Sequence, residues 1–135
     1  MNIKKTPHGT IHYENDVVTV IPDNSDNVDL EALKTYFEEC VKFADHKRFY
    51  FIIDLRRIVM QSTPESRKFY ASNPWNKYRL ADALVVKSPA QKILVNFFIQ
   101  FNKPKVPTKT FTSMGAALAW IKQLKKHSKR RASVA

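Results

Sequence analysis

Glycine and cysteine are both scarce in this sequence, with two glycines and one cysteine among 135 residues. Glycine-rich phosphate loops and dinucleotide-binding fingerprints need several closely spaced glycines, so this composition excludes both motifs. A Gly-x-Ser-x-Gly nucleophile elbow is also absent. The lone Cys40 excludes an internal disulfide, and its apolar neighbours in "YFEECVKF" predict a buried structural thiol.

Long apolar runs are missing as well. No window approaches the ~20 apolar residues that a membrane-spanning helix requires, and the N-terminal stretch lacks the apolar core of a signal peptide. We therefore expect a soluble, cytoplasmic protein. A chain of 135 residues suits one domain with its own core. We expect this domain to span residues 1–125, followed by a basic, disordered tail at 126–135.

Acidic residues are absent after Asp82, which makes the charge distribution uneven. The formal net charge is +11, and the whole excess lies in residues 83–135, which hold 11 of the 23 Lys and Arg residues. Such asymmetry predicts either an anionic partner or a basic tail that serves solubility. The basic residues follow no nucleic-acid recognition motif, so we expect no specific nucleic-acid binding.

Hydrophobic periodicity divides the first part of the chain into strands around one helix. Residues 9–22 alternate and contain the turn signal Asn15-Asp16, which predicts a hairpin. Apolar residues at helical spacing follow over residues 30–44. Residues 48–55 are nearly all apolar or aromatic, which predicts a strand buried on both faces.

Two later segments begin with the same helix-start signal. Thr63-Pro64 and Ser88-Pro89 each combine a capping hydroxyl with a proline that suits the first helical position. Further elements are predicted as strands at 81–88 and 108–113 and a last helix from Met114. Alternating strands and helices indicate an α/β fold. We expect a mainly parallel sheet of four to five strands with an N-terminal hairpin and about four helices.

Asp54 is the one carboxylate that suggests a functional site. It ends the predicted buried strand, where open α/β sheets place ligand sites, and Arg56 and Arg57 follow closely. The alternative is a carboxylate that accepts hydrogen bonds from the turn after the strand. No histidine lies at a metal-ligand spacing from another ligand residue, so we predict no metal and no cofactor. Because no catalytic set is present, we do not expect an enzyme.

The segment "KILVNFFIQF" (92–101) has more apolar residues than one side of a short helix can bury. The side that we expect to pack on the sheet comprises Leu94, Val95, Phe98 and Phe101. Ile93 and Phe97 then point toward another helix, a homodimer mate or a lipid surface. The flanking lysines, which suit anionic headgroups, are Lys92, Lys103 and Lys105.

Three stretches together resemble the SpoIIAA-like branch of the STAS (sulfate transporter and anti-sigma antagonist) domains. They are "FIIDLRRI" followed by "TPESRKFYAS", then "ADALVVKSPAQKILVNFFIQFNKPKVPTKTFTS", then "AALAWIKQL", within residues 8–125. The sequence looks especially like small, stand-alone bacterial proteins of this type. The resemblance implies a non-catalytic module that binds partner proteins, and some members bind nucleotides or lipid-like ligands.

The resemblance also raises the question whether this sequence has a phosphorylation site. In the anti-sigma antagonists, a partner kinase phosphorylates a serine in an Asp-Ser-Ser-Gly motif. This sequence has "MQSTPE" there, so Ser62 and Thr63 lie at or next to the matching place, without the acidic residue or the glycine. Helix capping is the alternative role of Thr63, and we expect no regulatory phosphorylation.

Two functions follow from these observations. The first is a regulatory or protein-interaction module that binds a protein partner, with a homodimer as one possibility. The alternative is a membrane-surface or lipid-binding protein that uses the apolar helix 90–101 and the basic C-terminal half.

Overall fold

A computed structural model describes residues 2–23, 30–57 and 63–134 of the protein, with side chains described to residue 128. Six strands form one sheet in which spatial order equals sequence order. They are β1 (Asn2–Thr6), β2 (Gly9–Glu14), β3 (Val17–Pro22), β4 (Phe49–Asp54), β5 (Arg79–Val85) and β6 (Thr108–Phe111). The strands from β1 to β3 pair antiparallel, and those from β3 to β6 pair parallel. The predicted α/β class and N-terminal hairpin are confirmed.

Four α-helices and one 3₁₀ helix accompany the strands in the described part of the chain. They are α1 (Leu30–Phe43), α2 (Pro64–Ser72), the 3₁₀ helix (Pro74–Tyr78), α3 (Pro89–Asn102) and α4 (Met114–Val134). Residues of α1, α2 and α3 contribute to one hydrophobic core, and residues of α4 to a second core. The sheet therefore has three α-helices on one face and α4 on the other.

The turn between β2 and β3 has the backbone geometry that its two residues favour. Asn15 and Asp16 both have left-handed angles, with φ of 52° and 64°. A type I′ hairpin turn requires positive φ at both central residues, and Asn and Asp tolerate it better than most residues. The turn fixes a register in which Tyr13 lies opposite Val18.

Strand β4 separates the two hydrophobic cores. All six of its residues are buried, as the sequence predicts. Phe51 and Ile53 enter the core shared with α1, whereas Tyr50 and Ile52 enter the core beneath α4. Because side chains alternate between the two faces of a strand, β4 needs helices on both sides.

Helices α2 and α3 begin at the predicted capping residues. The hydroxyl of Thr63 accepts a hydrogen bond from the backbone N–H of Ser66 at 3.1 Å. The hydroxyl of Ser88 accepts one from the backbone N–H of Gln91 at 3.2 Å. Each helix has proline at its start, where the missing N–H costs no hydrogen bond.

The sheet has one strand more than the four to five expected, and the additional strand is β1. Its residues are exposed apart from the half-buried Thr6. It pairs with β2 along its whole length but buries no apolar side chain. Its sequence therefore lacks the alternation that identifies a half-buried strand, and hydrogen bonding to the hairpin is what orders it.

Helix α4 extends to Val134, through most of the segment 126–135 that we expected to be a disordered tail. Lys, Arg and Ala are good helix formers, and neither glycine nor proline follows Gly115. A helix that is already nucleated can propagate through such a segment, because each added residue brings one hydrogen bond. The predicted end of the domain at residue 125 and the predicted disorder of the tail stay predictions.

Gly9→Ala should destabilise the protein. Gly9 has a φ of +156°, and a Cβ added there would lie 2.4 Å from the carbonyl oxygen of Ile21. We expect the free energy of unfolding in urea to fall by about 2 kcal/mol. Gly115→Ala is the matched control, because nothing lies within 4 Å of its added Cβ. It should raise stability by up to ~1 kcal/mol, since Gly115 lies in a helix; equal losses in both variants would contradict this account.

Candidate functional site

Asp54, at the end of β4, is held by the residue two places after it. Its side chain is buried, and one carboxylate oxygen accepts hydrogen bonds from the backbone N–H and the Nε of Arg56, at 3.1 and 2.9 Å. The other oxygen accepts one from Nη2 of Arg56 at 2.9 Å. This two-pronged contact between a guanidinium and a carboxylate is among the stronger ion pairs in proteins.

The electrostatics of Asp54 fit a structural carboxylate. Burial opposes its ionisation, but the hydrogen bonds from Arg56 and the charges of Arg56 and Arg57 outweigh it and hold the pKa below its ordinary value. A carboxylate that is already ionised and saturated with donors is a poor general base. The hydrogen bond from the Arg56 backbone fits the structural interpretation of Asp54, and a ligand site at this strand end stays a prediction.

The hydroxyl of Thr63 is engaged at the start of α2. It caps the helix, while the backbone N–H of Thr63 donates to the hydroxyl of Ser66 at 3.0 Å, which completes a reciprocal capping box. Ser62 lies outside the described residues. Phosphorylation at this place is neither supported nor contradicted by this geometry, and its predicted absence stays a prediction.

A shallow groove of about 460 Å³ lies between the first turns of α1 and α2. Its described lining comprises Leu30, Glu31, Lys34, Thr63 and Glu65. Two carboxylates and one ammonium group give this surface no dominant positive or negative charge. We therefore assign no ligand to it.

The exposed face of α3 is the most prominent apolar surface of the described structure. Ile93, Phe97 and Phe101 follow each other at intervals of four residues and are 72%, 60% and 76% exposed. Residues four apart share one side of a helix, so these three form a continuous stripe. The rings of Phe97 and Phe101 stack, with centroids 6.4 Å apart and planes 17° apart. We call this set the α3 stripe.

Two residues of α3 are more exposed than we expected. Leu94 and Phe101 were predicted to pack on the sheet, but Leu94 is 45% exposed and Phe101 belongs to the α3 stripe. The helix instead contacts the core through the buried Val95 and the half-buried Ile99. Apolar residues on every side of a helix give no information on which side faces the core, and this is why the prediction failed.

Phe98 is covered by a neighbouring cation. The Arg67 guanidinium of α2 lies 4.2 Å from the centroid of the Phe98 ring. This is the range in which a cation is attracted to the face of an aromatic ring. The contact joins α2 to α3 beside the α3 stripe and keeps Phe98 half-buried.

Positive charge surrounds the α3 stripe. Lys92 lies on the helix itself, half-buried, and Lys103 ends the helix in a left-handed conformation with φ of 47°. Lys105 follows two residues later and is exposed, as is Lys87 before the helix. No acidic residue follows Asp82, so no carboxylate from this part of the sequence neutralises these lysines.

A buried polar cluster escaped the sequence analysis. Arg79 and Asp82, both on β5, are 2% and 0% exposed, and Nη1 of Arg79 donates to Oδ2 of Asp82 at 2.8 Å. The hydroxyl of Tyr70 donates to the same oxygen at 2.6 Å. Burial raises the pKa of Asp82, although Arg79 and Tyr70 oppose this. The one available signal was the pair of charged residues inside the apolar run "RLADALVV".

This cluster belongs to the interior of the fold. The Arg79 guanidinium lies 4.4 Å from the centroid of the Phe37 ring of α1 and 5.0 Å from that of Tyr70. The ion pair thus connects β5 with α1 and α2. A buried pair of this kind is costly to break, because removal of one partner leaves the other charge uncompensated.

The described residues show neither a metal site nor a reactive thiol. No three His, Cys, Asp or Glu side chains within them come together as a metal site would require. Cys40 is buried, and burial raises the pKa of its thiol, which disfavours the reactive thiolate. Within the same ranges, none of the helices has the length and hydrophobicity needed to cross a bilayer.

A solved structure is similar to this chain over most of its length. It is the crystal structure of an uncharacterized protein from the DUF3478 family with a SpoIIAA-like fold, from Shewanella loihica PV-4. The TM-score is 0.59 at 12% sequence identity, and the match covers 88% of this chain and 98% of that one. Identity this low shows the fold alone. The molecule is therefore a domain with the SpoIIAA-like fold, as the resemblance in the sequence implied.

The sequence family can also be stated. The family model described as a domain of unknown function, DUF7793, matches residues 11–125. The chain belongs to this family. No curated protein matches it at a significant level.

The Asp54–Arg56 ion pair should make the free energy of unfolding fall at low pH. The pKa of Asp54 is lower in the folded state than in the unfolded state, where it is about 4. The ion pair therefore stabilises the fold at neutral pH, and this stabilisation is lost as the pH falls from about 4 through the folded-state pKa. Wild type should lose about 1 kcal/mol more than Asp54→Asn between pH 7 and pH 2.5, a modest figure because Arg56 is 42% exposed. Urea denaturation across this range measures the difference.

Arg56→Gln provides the control for this pair. It should lower stability at pH 7 by a similar amount, and the double variant should lose little more than either single variant. Fully additive losses would show that the two side chains are not coupled, which would contradict the assignment.

Proposed function

We propose that this protein is a non-catalytic interaction module that binds a partner protein through the α3 stripe. The observation that carries the proposal is the exposure of Ile93, Phe97 and Phe101 as one continuous apolar surface. The resemblance to STAS domains, which act by binding other proteins, favours the same function. The hydrogen bonds from Arg56 to Asp54 support the proposal, because they disfavour a catalytic role for that carboxylate.

The energetics favour burial of the α3 stripe in a complex. Complete burial of an Ile or Phe side chain is worth roughly 1.5–3 kcal/mol. Three such side chains supply several kcal/mol toward the cost of association. Single exposed apolar residues are ordinary on protein surfaces, but a contiguous stripe with two stacked phenylalanines is typical of a binding surface.

The charge around the α3 stripe selects the kind of partner. A second copy bound through the same face would bring the positive charges of Lys92, Lys103 and Lys105 close to those of its partner, which is unfavourable. An unlike partner with an apolar surface bordered by Asp and Glu residues complements both features. We therefore assign this face to a partner protein with an acidic border, and a homodimer would have to use another surface.

Binding to an anionic membrane surface is the second candidate. The observation in its favour is the protrusion of Phe97 and Phe101 on a helix with lysines at both ends. Helices that lie in the interface of a bilayer combine these features. The protein partner is preferred because the STAS resemblance supports it in addition.

The test begins with cross-linking in the native host cell. Photoreactive benzoylphenylalanine is placed at residue 97 or 101 and, as a control, at the exposed residue 47 in the turn after α1. We expect one protein to be cross-linked from both α3 sites and not from the control. The cross-linked peptide should contain Asp or Glu beside apolar residues.

Affinity for the purified partner then tests the side chains. Phe97→Ser and Phe101→Ser should each weaken binding at least about tenfold. Leu118→Ser is the matched control, because Leu118 is 47% exposed and lies on α4, across the sheet. Failure to cross-link any protein, together with binding to phosphatidylglycerol vesicles that needs Phe97, would replace the protein partner with a membrane. Failure of both would remove the α3 stripe as a binding surface.

A further inference from the structure

Half of one sheet face is not covered by a helix in the described part of the chain. On this face α4 packs over β4, β5 and β6, through residues that include Ala117 and Ile121. The other half of the face belongs to β1, β2 and β3. Parallel strands in α/β folds carry helices on both faces, whereas antiparallel strands such as β1, β2 and β3 commonly leave one face open to water.

An open trough occupies this uncovered half, between the hairpin and α4. Its volume is about 660 Å³. The described lining comprises His12, Glu14, Asn15, Val17, Thr19, Ile21, Met114, Leu118, Ile121, Lys122 and Lys125. Residues at intervals of two on β3 form its floor, and residues at intervals of three or four on α4 form its wall. We call it the hairpin trough.

The exposed side chain of Ile3 extends the hairpin trough beyond its lining. Ile3 lies opposite His12 in the pairing of β1 with β2, so the two side chains share a face of the sheet. Ile3 is 57% exposed, and Leu118 on the opposite wall is 47% exposed. Apolar residues on both sides of the trough therefore remain in contact with water.

The charges along the hairpin trough are mainly positive. Lys122 and Lys125 lie on the α4 wall, whereas Glu14 is the one carboxylate in the described lining. Lys125 donates through Nζ to the backbone carbonyl of Asn15 and lies 5.6 Å from the centroid of the Tyr50 ring. Lys122 forms no ion pair with a carboxylate among the described residues.

The dimensions suit one α-helix. Strand β2 has six residues, about 20 Å of strand, which equals the length of about 13 helical residues. Three strands at ~4.8 Å spacing give a floor of roughly 10–14 Å, close to the diameter of a helix with its side chains. An extended lipid chain would remain exposed along one whole side in so open a trough, whereas ligand sites normally bury most of a small molecule.

We infer that the hairpin trough binds an amphipathic helix with acidic flanks, supplied by another protein. The helix would place its apolar side on Val17, Ile21 and Leu118 and its carboxylates beside Lys122. A helix from a second copy fits poorly, because α3 and α4 lack acidic residues and the apolar side of α1 is already buried. This surface lies across the sheet from the α3 stripe, so the inference does not depend on the proposed function.

Two synthetic peptides test the inference. Both are capped, have 14 residues and carry the same leucine stripe, but one has glutamates on its flanks and the other has lysines. We expect the glutamate peptide to bind the full chain with micromolar affinity and to shift the NMR amide signals of residues 17–21 and 114–125. The lysine peptide should bind at least about tenfold more weakly.

Two variants of the protein locate the binding surface. Leu118→Ser and Lys122→Glu should each weaken binding of the glutamate peptide at least about tenfold. Both residues are exposed, so the variants should keep the native fold. Leu94→Ser is the matched control, because Leu94 is 45% exposed on α3 and belongs to neither surface; it should leave the shifts at the trough residues unchanged. Thermal unfolding of every variant checks that the native state is retained.

Several outcomes would overturn the inference. The inference is wrong if neither peptide perturbs the trough residues, if both peptides bind equally, or if the shifts map to α3 instead. A separate NMR titration with sodium dodecanoate tests whether the trough binds an acyl chain instead of a helix. Shifts at the trough with dodecanoate but not with the glutamate peptide would replace the helix with an acyl chain.

Discussion

The burial of β4 on both faces is the constraint on which the rest of the structure depends. The six buried residues of β4 need a helical layer on each face, since alternate side chains would otherwise face water. One layer is built from α1, α2 and α3, and the other from α4. The unequal number of helices in the layers follows from the connections, because each parallel strand after β3 is reached through a helix. Within the described ranges, the same inequality leaves the hairpin without a helix on one face.

The two surfaces of interest arise from opposite causes. On α3 the sequence supplies more apolar residues than the sheet can cover, so the excess points outward as the α3 stripe. At the hairpin trough the sheet supplies more surface than the single helix α4 can cover, so strand residues that would face a helix are left half-exposed. Both surfaces combine apolar side chains with positive charge. The α3 stripe and the hairpin trough are therefore both suited to recognition by shape, burial of apolar area and charge.

The predictable parts of the fold are those governed by local chemistry. The turn at Asn15-Asp16 and the helix start at Thr63 depend on neighbouring residues alone, and both are found where the sequence places them. The exposure of Leu94 and Phe101 depends on which side of α3 meets the sheet, a property of the neighbouring elements. The ion pair between Arg79 and Asp82 was also not predictable, because it forms within a buried strand whose pattern predicts only apolar contacts. Strand β1 escaped because backbone pairing, without burial, leaves no pattern in the sequence.

The strand order has a kinetic consequence. Since strands lie in the sheet in the order in which they occur in the chain, each new strand pairs with the one completed just before it. Short separations between paired segments favour rapid folding and allow the sheet to grow while the chain emerges from the ribosome. Helix α4 follows all six strands in the chain, so Tyr50, Ile52 and Val85 stay uncovered until residues 114–121 have emerged. A nascent chain stalled before residue 114 would therefore present a bare apolar sheet face, which is the kind of surface that chaperones and degradation machinery recognise.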